Sequence, residues 1–202
     1  MTPKNFFIAI LLGVALAAGI FVASSLNRPA EVQKAFVIPQ PSHLPEFSLL
    51  DQFGHAVGAN AFHGEWNLVF FGFTNCPDIC PTTLQVLSNV RNELAAQGKT
   101  TPRVVLVSVD PERDTPELLG QYVNYFGEDN LGLTGELGEI KKLTGALGIY
   151  FEKTPADGDN YSVDHSAAVI VINPDGEFSA LFSGPHMVSD YVHDLPIIMS
   201  NH

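Results

Sequence analysis

The sequence predicts an α/β domain, a mixed β-sheet flanked by helices, preceded by one N-terminal transmembrane helix. Three observations carry this reading. The runs Asn67–Phe73 and Arg103–Val109 are nearly continuous in apolar and β-branched residues, as strands covered on both faces require. Between and after them, apolar residues recur at helical spacing behind capping residues. Ahead of both, Asn5–Leu26 is a stretch of 22 residues without a charge, enough for a helix to span about 30 Å of hydrocarbon.

Lys4 and Arg28 bracket that apolar stretch, so the basic residues do not orient it. The four-residue arm before it favours insertion with the N-terminus inside, which places the rest of the chain outside the cytoplasm. Ala15-Leu16-Ala17 imitates a signal-peptidase site, but apolar sequence continues beyond it, and signal peptides have shorter apolar regions. The reading is an uncleaved anchor over residues 1–26. The next segment, 27–45, is polar and contains Pro29, Pro39, Pro41 and Pro45. It reads as a linker, with the folded domain at 46–202.

Within the domain, Phe47–Asp51 and His55–Val57 flank a Gln52-Phe53-Gly54 turn and suggest a small hairpin. The first buried strand follows. Leu84, Leu87, Val90 and Leu94 then mark a helix, with Pro81 in its first turn and Gly98 closing it. After the second buried strand, Asp114 or Thr115 caps a helix that has Pro116 and Glu117 in its first turn. A short strand near Leu131–Leu133 and a helix over Leu137–Leu147 come next. Ser166–Ile172 and Glu177–Ser183 are strands around the turn Asn173-Pro174-Asp175-Gly176, and a last helix covers Ser189–Met199. Early parallel crossovers and a late antiparallel hairpin give the thioredoxin-like arrangement.

All 22 acidic residues follow the apolar stretch, against 10 Lys plus Arg in the whole chain, and the net charge is −12. Such a surface repels phosphate backbones and argues against nucleic-acid binding. It suits a cationic partner or a metal ion, and equally a merely solvated face.

Only two cysteines are present, Cys76 and Cys80, too few for a disulfide framework in a domain this size. A bridge over so short a loop contributes little loop-closure stabilisation. The pair is therefore read as chemical. Cys76 follows a strand end and Cys80 enters a helix, so the two sulfurs face the same way near a helix N-terminus, which lowers a thiol pKa. Two thiolates suit Cu(I), and an added imidazole also admits Cu(II) or zinc. Of seven histidines, His165 stands out, because it precedes the late strand that this topology sets opposite the cysteine loop, although a lone histidine at a strand entrance is more often a hydrogen-bonded structural residue. His186 and His193 are secondary candidates. His43, His55, His63 and His202 read as surface residues. Asp78, Asp110 and Asp164 are each read as either site carboxylates or formers of loops and caps, and Arg113 and Asp114 as holding a loop.

Here the motifs become recognisable. Gly72-Phe73-Thr74-Asn75-Cys76-Pro77-Asp78-Ile79-Cys80-Pro81, then Val109-Asp110-Pro111-Glu112-Arg113-Asp114-Thr115-Pro116, then Val163-Asp164-His165-Ser166-Ala167 with Pro174-Asp175-Gly176, together resemble the Sco/SenC family of copper-binding thioredoxin-like proteins. The resemblance covers roughly residues 45–195. It implies that Cys76, Cys80 and His165 ligate copper, as Cu(I) or Cu(II). It implies a role in maturing the dinuclear copper centre of cytochrome c oxidase, by copper delivery, thiol reduction, or both. The implied partners are a copper-accepting oxidase subunit, a copper donor and a thiol reductant. The implied location is the inner membrane, single-pass, with the domain in the periplasm or an equivalent space.

The alternatives are an extracytoplasmic thiol-disulfide oxidoreductase with Cys76 and Cys80 as the redox pair, or a redox or copper sensor. The spacing differs from the CxxC of thioredoxins, and disulfide exchange gives His165 no task. A peroxiredoxin-like peroxidase fits poorly. That family places Thr three residues before its reactive Cys, whereas Thr74 lies two before Cys76 and Pro77 follows it.

Overall fold

The structure is a computed structural model that describes residues 31–155 and 161–200, together with four isolated helical positions, 13, 16, 18 and 19. The expected membrane anchor at 1–26 lies outside the described residues apart from those four. Among the described residues no helix is long and apolar enough to cross a membrane. Residues Val32–His202 form one unit, and the following concerns that unit.

Two strands anchor the sheet, β4 (Asn67–Gly72) and β5 (Arg103–Ser108). They pair in parallel from Asn67↔Arg103 to Gly72↔Ser108. Every residue of β4 is buried, which explains its unbroken apolar run. β6 (Leu131–Thr134) extends the parallel set. On the other side β9 (Val169–Ile172) joins β4 antiparallel, and β10 (Glu177–Phe182) returns beside it. β2 (Leu49–Asp51) and β3 (Ala56–Val57) form the expected hairpin beyond β6.

The helices fall where the periodicity puts them. α1 (Ile79–Ala96) buries Cys80, Leu84, Leu87, Val90 and Leu94 on one face. α2 (Pro116–Phe126) is capped by Thr115, whose hydroxyl accepts from the Leu118 amide, with Pro116 in its first turn. α3 (Leu137–Ala146) follows β6, and α4 (Val188–Ser200) packs against α1.

Two elements depart from expectation. The segment read as a linker carries β1 (Phe36–His43), which pairs with β10 at Phe36↔Leu181 and His43↔Glu177. The folded unit therefore starts near residue 32, not 46. Pro39 and Pro41 remain compatible with a strand because β1 is an edge strand whose register shifts between Val37 and Ser42. Polarity and proline content thus marked an edge, not a tether.

The second departure is a separate two-stranded sheet, β7 (Phe151–Pro155) with β8 (Tyr161–His165). The main-sheet strand expected from Ser166 begins only at Val169. Most of the β7–β8 pair is exposed, so no apolar alternation announced it.

Asp194, buried on α4, holds the start of β1 in place. Its carboxylate accepts from the backbone amides of Gln33, Lys34 and Ala35 and faces the His193 ring at 2.7 Å. Burial opposes ionisation there, but these donors outweigh it and hold the carboxyl below its ordinary value. Asp194→Ala is expected to cost about 1–3 kcal/mol in urea unfolding and to raise amide exchange over residues 33–37. A depressed carboxyl stabilises fully above its unfolded pKa, and the contribution is lost as pH falls through the folded one. The gap between wild type and variant should therefore close below the ordinary carboxylate range.

Candidate metal centre

The site sits where β4 ends and α1 begins. Val109 donates its amide to the Gly72 carbonyl, so the chain leaves β4 and β5 side by side. The loop then turns, with the Cys76 amide donating to the Phe73 carbonyl at 3.3 Å. Cys80 is the second residue of α1 and is fully buried, and Cys76 lies just above it, 9% exposed. Both are free thiols. The Cys80 amide, one of the unpaired donors of the helix start, donates to Cys76 Sγ at 3.4 Å.

His165 closes the site from β8. Its Nε2 stands 3.4 Å from Cys80 Sγ. Its Nδ1 lies 3.1 Å from the Ser166 carbonyl, which can only accept. The proton therefore resides on Nδ1, and the Nε2 lone pair is free to face the sulfurs. The edges of Phe70 and Phe73 meet this ring at 5.7 and 5.9 Å. The three donor atoms lie within 4.8 Å of one another, and they form the only such group among the described residues. Cys76 and His165 line a cleft of about 310 Å³ together with Phe73, Pro77, Asp78, Ile79, Ser162, Val163 and Asp164, while Cys80 is fully buried.

The two thiols are driven apart in acidity. The hydrogen bond from Cys80 to Cys76 lowers the Cys76 thiol most. Burial opposes it, while the Asp78 and Cys80 amides add to it, and the Cys76 pKa falls to about 4. Cys80, as that donor and the more deeply buried thiol, is pushed up. One negative charge thus rests on the outer sulfur at neutral pH. Cys76 should accordingly alkylate with iodoacetamide at a rate that is flat from about pH 6 to 8, while Cys80 stays unreacted. A Cys76 rate that climbs about tenfold per unit, as for an ordinary thiol below its pKa near 8.5, would refute this; peptide mass spectrometry reads both.

Chemically this is a small, soft donor set of two sulfurs and one imidazole nitrogen. It fits Cu(I), and with the imidazole Cu(II). Structural zinc sites ordinarily have four protein ligands, and among the described residues no fourth belongs to the cluster. The residues present thus fit copper.

The three expected ligands, Cys76, Cys80 and His165, are brought together. The other candidates are not. His186 has both ring nitrogens engaged, Nε2 with the Ala167 carbonyl at 2.6 Å and Nδ1 with the Tyr191 hydroxyl at 2.7 Å. His193 faces Asp194 and Gln33. Asp78 occupies the N-cap position of α1 without a capping bond. Asp164 accepts from Thr154 at 2.9 Å, so the ring of His165 is oriented by Ser166, not by its acidic neighbour. Asp110 is buried and accepts from Arg113 and from the Tyr161 hydroxyl. Asp114 accepts from the Thr74 amide and hydroxyl and from Ser108.

Sequence reasoning missed two contributors. The Ser166 carbonyl carries no side-chain signal. Gly72 did have one, a glycine ending a strand of large apolar residues. A Cβ there would stand 2.8 Å from Cys80 Sγ and 3.0 Å from the Phe70 ring, so its absence is what admits the inner sulfur.

Comparison with known proteins agrees with this geometry. The chain is 34% identical over 193 residues to a Stutzerimonas stutzeri protein named as a candidate copper-binding protein, covering 95% of this chain and 94% of that one. It is 42% identical over 136 residues to the human mitochondrial SCO2 homolog, covering 66% of this chain but only 51% of that protein. The crystal structure of Arabidopsis thaliana ScoI with copper bound superposes with a TM-score of 0.76 at 31% identity, covering 80% of this chain and all of that one. The SCO1/SenC sequence profile matches residues 38–200, a span that takes in most of β1, both cysteines and His165, and the chain belongs to the SCO1/SenC family.

Proposed function

We propose that this chain is a copper metallochaperone that serves the dinuclear copper site of cytochrome c oxidase. It holds copper on Cys76, Cys80 and His165 and delivers it to that site, reduces the site's thiols, or does both. The observation that carries this reading is the convergence of two sulfurs and one free imidazole nitrogen within 4.8 Å, with Cys76 and His165 lining a cleft. The relatives' names and the copper-bound ScoI neighbour support copper as the metal, and the family resemblance supports the oxidase as its destination. Binding replaces the Cys80 proton, so loading releases acid and favours the neutral range over acidic pH.

The proposal includes a place and partners. Asn5–Leu26 tethers the chain in the inner membrane as a single span, and the copper domain stands in the periplasm or an equivalent extracytoplasmic space. There it meets a copper donor, a thiol reductant and the copper-accepting oxidase subunit. Its acidic surface gives nucleic acid no binding site.

A second reading, thiol-disulfide exchange, is favoured by one observation. Cys76 is held as a thiolate beside a protonated partner thiol, the arrangement that attacking and resolving thiols need. The same centre could also act as a sensor, reporting copper or redox state.

The test mixes the copper-loaded protein with an apo copper-accepting oxidase domain, following metal and thiol redox state together. Delivery predicts one copper per monomer leaving this chain for the acceptor, and no copper taken up at all by a Cys76→Ser, Cys80→Ser variant. Acceptor disulfide reduced at the expense of Cys76 and Cys80, without metal movement, would favour the second reading. Equal copper uptake by the double serine variant would overturn the site itself.

A further inference from the structure

His165 lies outside the main sheet. It is the last residue of β8, and β8 pairs only with β7 in a sheet of two strands. Two such strands have little stability alone. Something must therefore fix this hairpin against the loop that bears the cysteines.

The contacts that do so converge on one short segment, Asp110–Asp114, which follows β5. Its far end grips the cysteine loop. Asp114 is buried and accepts from the Thr74 hydroxyl at 2.5 Å and the Thr74 amide at 3.1 Å, two residues before Cys76, while Ser108 at 2.6 Å holds the same carboxylate. Its near end grips the hairpin. Asp110 accepts from the Tyr161 hydroxyl at 2.7 Å and from Arg113 Nε. Arg113 also donates Nη1 to the Tyr161 carbonyl at 3.2 Å and lays its guanidinium over the Tyr161 ring at 3.9 Å. Lys153 of β7 adds an ion pair to Glu112 at 2.6 Å and stands 4.6 Å from the same ring. Arg113 reaches 5.7 Å from Phe73 as well, the ring whose partner is His165.

We propose that Asp110–Asp114 is a two-armed clamp that sets the third ligand against the first two, with Arg113 and Tyr161 as positioning residues for His165. Neither touches the metal ligands' donor atoms. Tyr161 starts β8 and His165 ends it, about 13 Å apart in an extended strand. A planar fork that binds an anion and a carbonyl while stacking on a ring fixes both distance and angle, which lysine cannot do. The effect falls on one oxidation state. Two sulfurs hold Cu(I) whether or not the imidazole is well placed, whereas Cu(II) depends on the nitrogen. The clamp thus biases the site toward holding copper in both states.

This rests on copper binding at Cys76, Cys80 and His165, and the experiment separates the two ideas. Cu(I) and Cu(II) affinities of the full-length protein are measured for wild type, His165→Ala, Tyr161→Phe and Arg113→Lys, with the Cu(II) electron paramagnetic resonance spectrum read for imidazole nitrogen coupling. Metal-free samples are followed by the NMR signals of the His165 ring. Tyr161→Phe deletes a single hydroxyl contact, to the buried Asp110, and keeps the ring, and Arg113→Lys keeps the charge and one donor for that carboxylate, so both retain the fold. The expected result is Cu(II) binding weakened about tenfold, nitrogen coupling reduced, Cu(I) affinity within about twofold, and His165 ring signals broadened in the metal-free clamp variants. If His165→Ala loses Cu(II) and both clamp variants behave as wild type, the clamp is overturned and the site stands. If the clamp variants lose Cu(I) and Cu(II) equally, the clamp is overturned too, because the role is then general stability. If His165→Ala itself binds Cu(II) as wild type does, the ligand assignment falls and the clamp with it.

Discussion

Joining Cys76 to Cys80 in a disulfide is expected to weaken copper binding by at least about tenfold, or about 1.4 kcal/mol, and a thiol reductant is expected to restore it. Both residues are free in the structure, and their sulfurs lie within 4.8 Å of each other and of a single imidazole nitrogen. Oxidation consumes the Cys76 thiolate and the Cys80 thiol, giving up two electrons and the remaining proton, and leaves His165 Nε2 as the lone donor. Copper loading and thiol redox state would then be one coupled cycle in an oxidising compartment. Titration of protein whose disulfide has been verified by mass spectrometry reads the outcome. Unchanged affinity in that form would mean that the sulfurs are not the principal donors, and the pair would be a redox couple without a metal.

Gly72→Ala is expected to lose about 1–3 kcal/mol of stability and to weaken copper binding by about tenfold. The added methyl meets Cys80 Sγ at 2.8 Å, Phe70 Cε1 at 3.0 Å and Leu106 Cδ1 at 3.4 Å, and all three of those residues are fully buried. None can retreat into solvent. Phe70 is fixed in β4 and its ring supports His165, while Cys80 is fixed in the first turn of α1. The clash therefore moves either the inner sulfur or the ring behind the imidazole. Gly138→Ala is the control, since nothing lies within 4 Å of a Cβ at that exposed helical position. There the change should stabilise α3 by up to about 1 kcal/mol. Denaturant unfolding and copper titration on both variants give the comparison. Equal effects at the two glycines would show that the close packing at Gly72 does not matter.

The sequence by itself determined what is local. Continuous apolar runs marked β4 and β5 because both faces of those strands are covered. Leu84, Leu87, Val90 and Leu94 marked α1 because a 3.6-residue period shows in any window of that length. The cysteines could be read as neighbours because four helical positions bring two side chains to one face. Tertiary structure decided everything that joins distant segments. His165 and Cys80 are 85 residues apart, and no local pattern states their contact. The motif resemblance supplied the pairing, and the fold supplied its geometry. Proline-containing β1 reads as a linker because an edge strand has one unpaired side and tolerates proline. The β7–β8 hairpin left no apolar trace because its strands are mostly exposed and are held by Tyr161, Arg113 and Asp110. Three carboxylates looked alike in sequence, Asp78, Asp110 and Asp164. Only burial and partners separated them, leaving Asp110 in a buried network and Asp78 and Asp164 at the surface. The ring of His165 is turned by a backbone carbonyl, which every residue possesses. A hydrogen bond that any residue type could make is invisible in a sequence, because it depends on where the chain has been brought and not on which side chain it carries.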